Sequence, residues 1–559
     1  MPHIVIMPKQ GLQMTEGTIR HWFASEGSAV KKGEPLFEVE TDKLVISIDA
    51  EYDGTLLKIL HGEGDVVPIT EPIAVIGSPD EVLPSIEAGA ISAEKSDLYG
   101  AETGDMNYDV AVVGGGPGGY TCAVRAAKQQ KKVVLIEEGT LGGTCLNSGC
   151  IPTKTLLHCA KLYRDMLGAS RFGIVAKDIS FDYGKISSRK KRTVAKLVGG
   201  IGALLRGAGV TVVQGRAALT GTNTILVNGS EIKAKNIVLA VGRKPFLPDL
   251  PGANRMGVYT PDQFLELETL PESVVIVGGD AVGTEFADLL NAFGVRVTLL
   301  TEKTTILSEL DAEAADAVSR ALKKSGVHIF TDAEVLRIED GLICMYRRNG
   351  QEACAEASAI LFAETRRASF DGLGLKLAGV RTEADRIPVD AGARTNVPGI
   401  YAVGDVTGKH GSAHAAAAQG KAAADSIAGN VHTIQDDHVP ICIYTTPEAA
   451  SVGMTSEQAA CCGRTVHTGV FPVAANGRSA TCGENTGFVK LLSDAETGEI
   501  LGAHIVAGNA TELIGEMITA MEAEATVEEL AAAVHPHPTV NEMLMEAADD
   551  TLGLSCNKL

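Results

Sequence analysis

The middle of the chain uses one pattern twice: an apolar strand, a glycine-rich turn, an amphipathic helix and a second strand. The first copy, YDVAVVGGGPGGYTCAVRAAKQQKKVVLIEE, starts at residue 108, and the second, SVVIVGGDAVGTEFADLLNAFGVRVTLLTE, spans 273–302. Two such units predict two dinucleotide-type domains on parallel sheets. The first copy is complete. Gly114, Gly116 and Gly119 follow a strand and open a helix, so backbone N–H groups can approach a pyrophosphate at the helix N-terminus. Glu137 ends the next strand, 18 residues beyond Gly119, where a carboxylate can accept ribose hydroxyls. The glycines alone would also suit a tightly packed turn; the strand–helix–strand setting and Glu137 favour the dinucleotide. The second copy keeps Gly278 and Gly283 but sets Asp280 between them. That carboxylate would face the pyrophosphate at short range, and repulsion there could cost a few kcal/mol unless a cation or a protonated carboxyl intervenes.

A smaller repeat lies in front. GTIRHWFASEGSAVKKGEPLFEVE (17–40) matches GTLLKILHGEGDVVPITEPIAVIG (54–77), pairing Gly17 with Gly54, Gly27 with Gly64 and Pro35 with Pro72. Both halves alternate apolar and polar residues between glycine turns, so residues 1–79 are predicted to form an all-β sandwich with pseudo-two-fold symmetry. ETDKLVI joins the halves and should present Lys43 at a hairpin tip. Residues 80–106 are polar, acidic and aperiodic, as a linker is, and would span roughly 30 Å as a flexible coil. From about 440 onward no glycine fingerprint occurs; strands such as GFVKLL and LGAHIV mix with Ala/Glu-rich helices, as in an α+β interface domain.

With 559 residues there is room for three or four domains, and 45% apolar and 21% charged residues are ordinary for a soluble globular chain. A formal net charge of −21 argues against non-specific binding to nucleic acid or to an anionic membrane. No apolar run approaches a membrane span, and the apolar part of MPHIVIMPKQ is too short for a signal peptide; a cytoplasmic setting is expected. Eleven cysteines, mostly scattered, do not make a disulfide scaffold. Cys145 and Cys150 are different. They flank a short turn in GGTCLNSGCIPTKTLLHCAKLY, and a helix is predicted just beyond, with Pro152 in its first turn. A helix start and Lys154 both favour a thiolate. A metal site would need further ligands, and none is near in sequence. Two unrelated buried cysteines or a redox pair remain.

GGTCLNSGCIPTK after such a fingerprint resembles the active-site segment of the pyridine nucleotide–disulfide oxidoreductases, and within them the dihydrolipoyl dehydrogenases, the E3 components of 2-oxo-acid and acetoin dehydrogenase complexes. The resemblance covers about 107–559, and residues 1–79 resemble a lipoyl domain with ETDK as its modification site. It implies an α/β fold: two Rossmann-like dinucleotide-binding domains and a C-terminal α+β dimerisation domain, preceded by the all-β lipoyl-type sandwich. The implied division is 107–255 and 376–438 for FAD, 256–375 for NAD and 439–559 for the dimer interface. Cys145 and Cys150 would form a redox-active disulfide facing FAD. GIYAVGDVTG (399–408) resembles the second flavin motif, with Gly404 and Asp405 at the ribityl chain. Ala413, opening the Ala-rich helix after it, Lys154 and Ala217 are implied FAD contacts. VHPHPTVNE resembles the family's His–Glu signature, making His537 and Glu542 an acid–base pair that reaches the disulfide of a partner subunit, hence a homodimer. No metal is implied. Lys43 lies between Asp42 and Leu44, whereas biotinyl domains carry Met on both sides, so a covalent lipoyl group is expected there, serving its own active site or shuttling between other components, and the lipoyl domains of a 2-oxo-acid or acetoin dehydrogenase complex are the implied partners.

The implied NAD contacts are Gly278, Gly283, Glu285 and Glu302, and here the chain departs from the family. Thr301 stands where an acidic residue is usual, with Glu302 one step later, and AETRRAS (363–369) replaces AxGRRPN, with Thr365 for Gly, Ala368 for Pro and Ser369 for Asn. Thr446 stands where many members have His. Three functions therefore compete: a dihydrolipoyl dehydrogenase using NAD+, a flavin–disulfide enzyme with another acceptor, and a non-catalytic lipoyl-bearing subunit. Mercuric reductase typically has a C-terminal cysteine pair, whereas this chain ends SCNKL; glutathione reductase has no lipoyl domain.

Overall fold

The computed structural model describes residues 3–8, 16–40, 45–50, 52–68, 71–78, 106–364, 366–368, 370–430 and 433–558. The chain divides into two compact units, residues 1–95 and 96–559. Residues 80–105 of the expected linker, and Lys43, Thr365 and Ser369, lie outside the described residues.

The front unit has eight strands: β1 (His3–Ile6), β2 (Glu16–Trp22), β3 (Ala29–Val30), β4 (Pro35–Glu40), β5 (Val45–Asp49), β6 (Gly54–Ile59), β7 (Val66–Pro68) and β8 (Pro72–Gly77). They form two sheets, ordered β1-β8-β6-β3 and β5-β4-β2-β7. Exchanging β1 with β5, β2 with β6, β3 with β7 and β4 with β8 turns one order into the other, which is the two-fold symmetry written in the repeat. Each sheet draws strands from both halves, so neither half can bury its apolar face alone. Ile19, Phe37, Leu56 and Ile76 are fully buried in the shared core. Strands β4 and β5 pair antiparallel from Glu40 and Val45.

The second unit contains both βαβ patterns. The strand Met106–Val113 begins one residue inside the expected linker. It lies parallel to Val133–Glu137 on one side and to Ser230–Leu239 on the other. The sheet continues through an antiparallel hairpin, with Ile400–Ala402 pairing parallel to Ser230–Leu239. The second pattern builds a wholly parallel five-stranded sheet, in which Ser273–Val277 lies between Arg296–Leu300 and Ala359–Phe362. In each sheet the strand order reverses beside the strand that enters the glycine loop, and the crevice at the carboxyl ends of such strands is where ligands bind. The strands are near-continuous apolar runs because both sheet faces are covered. The last part is a five-stranded antiparallel sheet with helices Ala510–Glu522 and Glu542–Thr551 packed on it.

Candidate functional site

Gly114 N–H donates to Ile136 O at 2.8 Å, which turns the first loop off its strand, and Gly114 takes a φ of +105° that L side chains resist. A Cβ on Gly119 would lie 1.9 Å from Gly114 O, so only glycine allows the helix Pro117–Lys128 to start so close to the strand. Glu137 reaches this loop: its carboxylate accepts Gly115 N–H at 2.6 Å and Gly139 N–H at 2.7 Å. Gly116 N–H has no acceptor among the described residues, leaving a backbone donor at the helix N-terminus for an anion. The Ala-rich helix Ala413–Ile427 crosses close by, where a Cβ on Gly420 would come 2.3 Å from Gly118 O. Asp405 sits at the start of that crossing. Burial pushes its carboxyl up, against Arg366 and Arg243, and Arg366 is 4.0 Å away. The Nε atoms of both arginines are buried without a protein partner among the described residues. Ala217 opens the buried strand Ala217–Leu219. These donors, the glycine cradle and Asp405 fit FAD.

The helix Cys150–Leu167 starts at Cys150, immediately after the short helix Gly143–Ser148 that carries Cys145. The two thiols are hydrogen-bonded to each other. That bond, helped by the Lys154 ammonium and opposed by burial, brings Cys150 down to about 7. The same bond, with burial, pushes Cys145 up. The pair is therefore asymmetric, with Cys150 the better thiolate. Lys154, one turn into the helix, is held by Glu285 at 2.7 and 3.0 Å and lies 4.5 Å over the Tyr444 ring. Tyr444 N–H also donates to Glu285 at 3.1 Å. Glu285 belongs to the helix Ala281–Ala292 of the second pattern. The residue expected at the nucleotide thus stands beside the thiols and ties the two dinucleotide units together.

His537 Nδ1 is 2.7 Å from Glu542 Oε1, and Thr539 N–H donates to Glu542 Oε2 at 2.9 Å. Burial opposes the shift, but these two bonds hold Glu542 below the usual carboxylate range. The carboxylate fixes Nδ1 and leaves Nε2 free to move a proton. The His537 side chain is 78% exposed, and among the described residues no hydrogen bond or ion pair joins it to the thiols of its own chain.

The second loop has the backbone of the first. Gly278 N–H donates to Leu300 O at 2.8 Å, its φ is +121°, and a Cβ on Gly283 would lie 1.9 Å from Gly278 O. The side chains differ. Asp280 caps the helix by position but makes no side-chain cap hydrogen bond. Its carboxylate instead takes Lys303 Nζ at 2.8 and 3.0 Å. The exposed repulsive carboxylate expected from the sequence is therefore covered by a cation of the chain itself. Glu364 was not among the expected residues. It accepts Asp280 N–H at 2.7 Å and also the Gly279 N–H. Thr301 is buried, and Glu302 is exposed with no bond to the loop among the described residues. Thr446 donates to Asp288 at 3.2 Å.

The family model for pyridine nucleotide–disulphide oxidoreductases matches residues 108–420, and the model for their dimerisation domain matches 439–548. The chain belongs to the pyridine nucleotide–disulphide oxidoreductases. A third model, described as biotin-requiring enzyme and covering biotinyl and lipoyl domains, matches 3–76. A dihydrolipoyl dehydrogenase of Bacillus subtilis is 37% identical over 426 residues, 72% of this chain and 90% of that one. Another, from Geobacillus stearothermophilus, is 38% identical over 80% of this chain and 96% of its own. Among solved structures, LpdA from Mycobacterium tuberculosis superposes with a TM-score of 0.73 at 28% identity, covering 78% of this chain and 98% of that chain. The HOCl-induced flavoprotein disulfide reductase RclA from Escherichia coli gives 0.69 at 29% identity, with 78% and 98% covered. The chain is thus an FAD-dependent disulfide oxidoreductase of dihydrolipoyl dehydrogenase type, a family that uses FAD and NAD, with a lipoyl-type front unit that implies a lipoyl-lysine. Its dimerisation domain fits a homodimer, and its front unit fits membership of a multienzyme complex. No helix among the described residues is long and apolar enough to cross a membrane. Within this family, the first loop fits its cofactor as it stands. The second, with Glu364 on its N–H groups, does not fit a pyrophosphate as it stands.

Proposed function

We propose that the chain reoxidises dihydrolipoyl groups of a 2-oxo-acid or acetoin dehydrogenase complex in the cytoplasm, with Cys145 and Cys150 as the redox pair. The asymmetry of that pair, with Cys150 lowered to about 7 beside Lys154, carries the reading. In the oxidised state the two cysteines form a disulfide. A partner subunit's His–Glu pair takes a proton from the substrate dithiol, and the resulting thiolate attacks Cys145 Sγ. The Cys145–Cys150 bond breaks, and Cys150 leaves as the thiolate that Lys154 and the helix N-terminus stabilise. The second substrate thiolate then attacks the substrate sulfur of the mixed disulfide. This releases the cyclic disulfide product and leaves Cys145 reduced. FAD, when bound, supplies a two-electron acceptor for the reduced pair. Gly116 N–H and the cradle around Gly119 would hold its pyrophosphate, Glu137 its ribose and Asp405 its ribityl chain. Lys43 would carry the lipoyl group, and a tether of this length raises the concentration of the arm at active sites it can reach.

The test is anaerobic addition of dihydrolipoamide to the purified flavoprotein. The expected result is a long-wavelength thiolate–flavin band in the wild type and none in Cys150→Ser. Absence of that band in the wild type would overturn the reading. The carboxylate on the second loop favours a second reading for the outgoing electrons, in which a protein or quinone takes them instead of a nucleotide.

A further inference from the structure

The two parallel sheets can be laid over each other residue by residue. Val113 pairs with Leu239 in the first sheet, and Val277 with Phe362 in the second. Ala240 N–H donates to Val113 O at 2.7 Å, and Ala363 N–H to Val277 O at 2.8 Å. The segments that leave these strands, LAVGRKP and FAETRRA, therefore correspond, and Glu364 stands where the first unit has Val241. Likewise Asp280 stands at Gly116 and Thr301 at Glu137.

This correspondence shows what Glu364 does. In the first unit the N–H of Gly116 is free of protein acceptors among the described residues. The equivalent N–H, of Asp280, is taken by Glu364 at 2.7 Å, and the Gly279 N–H is taken as well. The side chain also fills the space over Gly278, where a Cβ would meet Glu364 Cγ at 2.6 Å. A carboxylate thus satisfies the anion-seeking N–H groups of the loop. Two carboxylates and one ammonium meet here, and Lys303 is committed to Asp280 through both oxygens. Partial burial opposes it, but Asp280 and then Glu364 hold the Lys303 ammonium above its usual pKa. The local charge is one net negative, where a dinucleotide brings two more. Glu364 is exposed, so it can swing into solvent and be displaced.

We propose that Glu364 is a built-in competitor for the dinucleotide pyrophosphate and sets the chain's affinity for the nicotinamide coenzyme, while Lys303 keeps Asp280 from adding to that effect. The inference rests on reading this loop as the family's pyridine-nucleotide site. It predicts weak binding that strengthens once the carboxylate is gone, with no change to the loop backbone.

The test measures the dissociation constant of NADH by fluorescence on the oxidised, FAD-loaded full chain. Variants are Glu364→Val, the residue of the first unit, Glu364→Gln, Asp280→Gly and Lys303→Met. Glu364→Val should tighten binding roughly ten- to a hundredfold, the equivalent of about 1.4–2.7 kcal/mol. Glu364→Gln, which removes the charge but keeps an acceptor, should fall between. Asp280→Gly should tighten it less than Glu364→Val, and Lys303→Met should weaken it by uncovering Asp280. Unchanged or weaker binding in both Glu364 variants overturns the proposal, as does a larger gain from Asp280→Gly than from Glu364→Val. Binding is read without turnover, so the dihydrolipoamide reaction can fail or succeed separately.

Discussion

The two dinucleotide units share a backbone and differ in what their loops leave open. Both first glycines donate to the neighbouring strand at 2.8 Å, and both third glycines would bring a Cβ within 1.9 Å of the loop's own carbonyl. In the first unit the carboxylate comes from the end of the second strand, Glu137, on the ribose side. In the second unit that position is Thr301, and the carboxylate comes from the opposite strand, as Glu364. Backbone geometry therefore preserves the fold of such a loop, whereas a few side chains at the strand ends decide whether its N–H groups are available.

The comparison is broken most severely by alanine at the third glycines. Gly119→Ala forces the first loop away from its helix, an overpacking cost of about 1–3 kcal/mol placed at the pyrophosphate, and the purified chain should contain little flavin. Gly283→Ala places the same clash in the second unit and should leave flavin content near that of the wild type. Equal flavin loss in both would show that the units do not act separately.

The next largest effect concerns chemistry that only the first unit serves. His537→Ala should slow flavin reduction by dihydrolipoamide roughly 10²–10⁴-fold, the range for losing a general base, with Glu542→Gln slowing it less. Rapid mixing measures both. A loss under about threefold in His537→Ala would remove that residue from the proton path.

A smaller effect sharpens how the units are joined. Lys154 and Glu285 link them beside the thiols. In the reduced protein the ultraviolet absorbance of the Cys150 thiolate should titrate at about 7, present above that pH and lost below it. Lys154→Met removes the cation that favours the charged form, so the midpoint should move up toward the ordinary thiol value. A midpoint that stays or falls would assign the low value to the Cys145 hydrogen bond alone.

The front repeat, both βαβ units, the thiol pair and His537–Glu542 were legible because each is local: a spacing, a turn or a strand–loop–helix boundary. The strand orders β1-β8-β6-β3 and β5-β4-β2-β7 were not, because pairing between halves is set by a shared core rather than by neighbouring residues. The role of Glu285 was missed in part, since its partner Lys154 lies 131 positions away. The sequence leaves Asp280 open to an offsetting cation without naming it, because Lys303, 23 positions on, points back to it only in the folded sheet. Glu364 is an ordinary polar residue among the replacements around it. The signal was present in the chain itself, in LAVGRKP set against FAETRRA, but reading it needed the strand register that makes those segments equivalent.

The contrast between the units is tested most directly by timing the two half-reactions on one preparation. The flavoprotein is mixed rapidly with dihydrolipoamide, and the reduced protein is then mixed with NAD+ over a range of concentrations. The account predicts fast reduction through Cys145 and Cys150, then slow reoxidation that saturates only at high NAD+. Reoxidation that is already fast and saturated at low NAD+ would contradict it, because the second loop would then take a pyrophosphate as readily as the first.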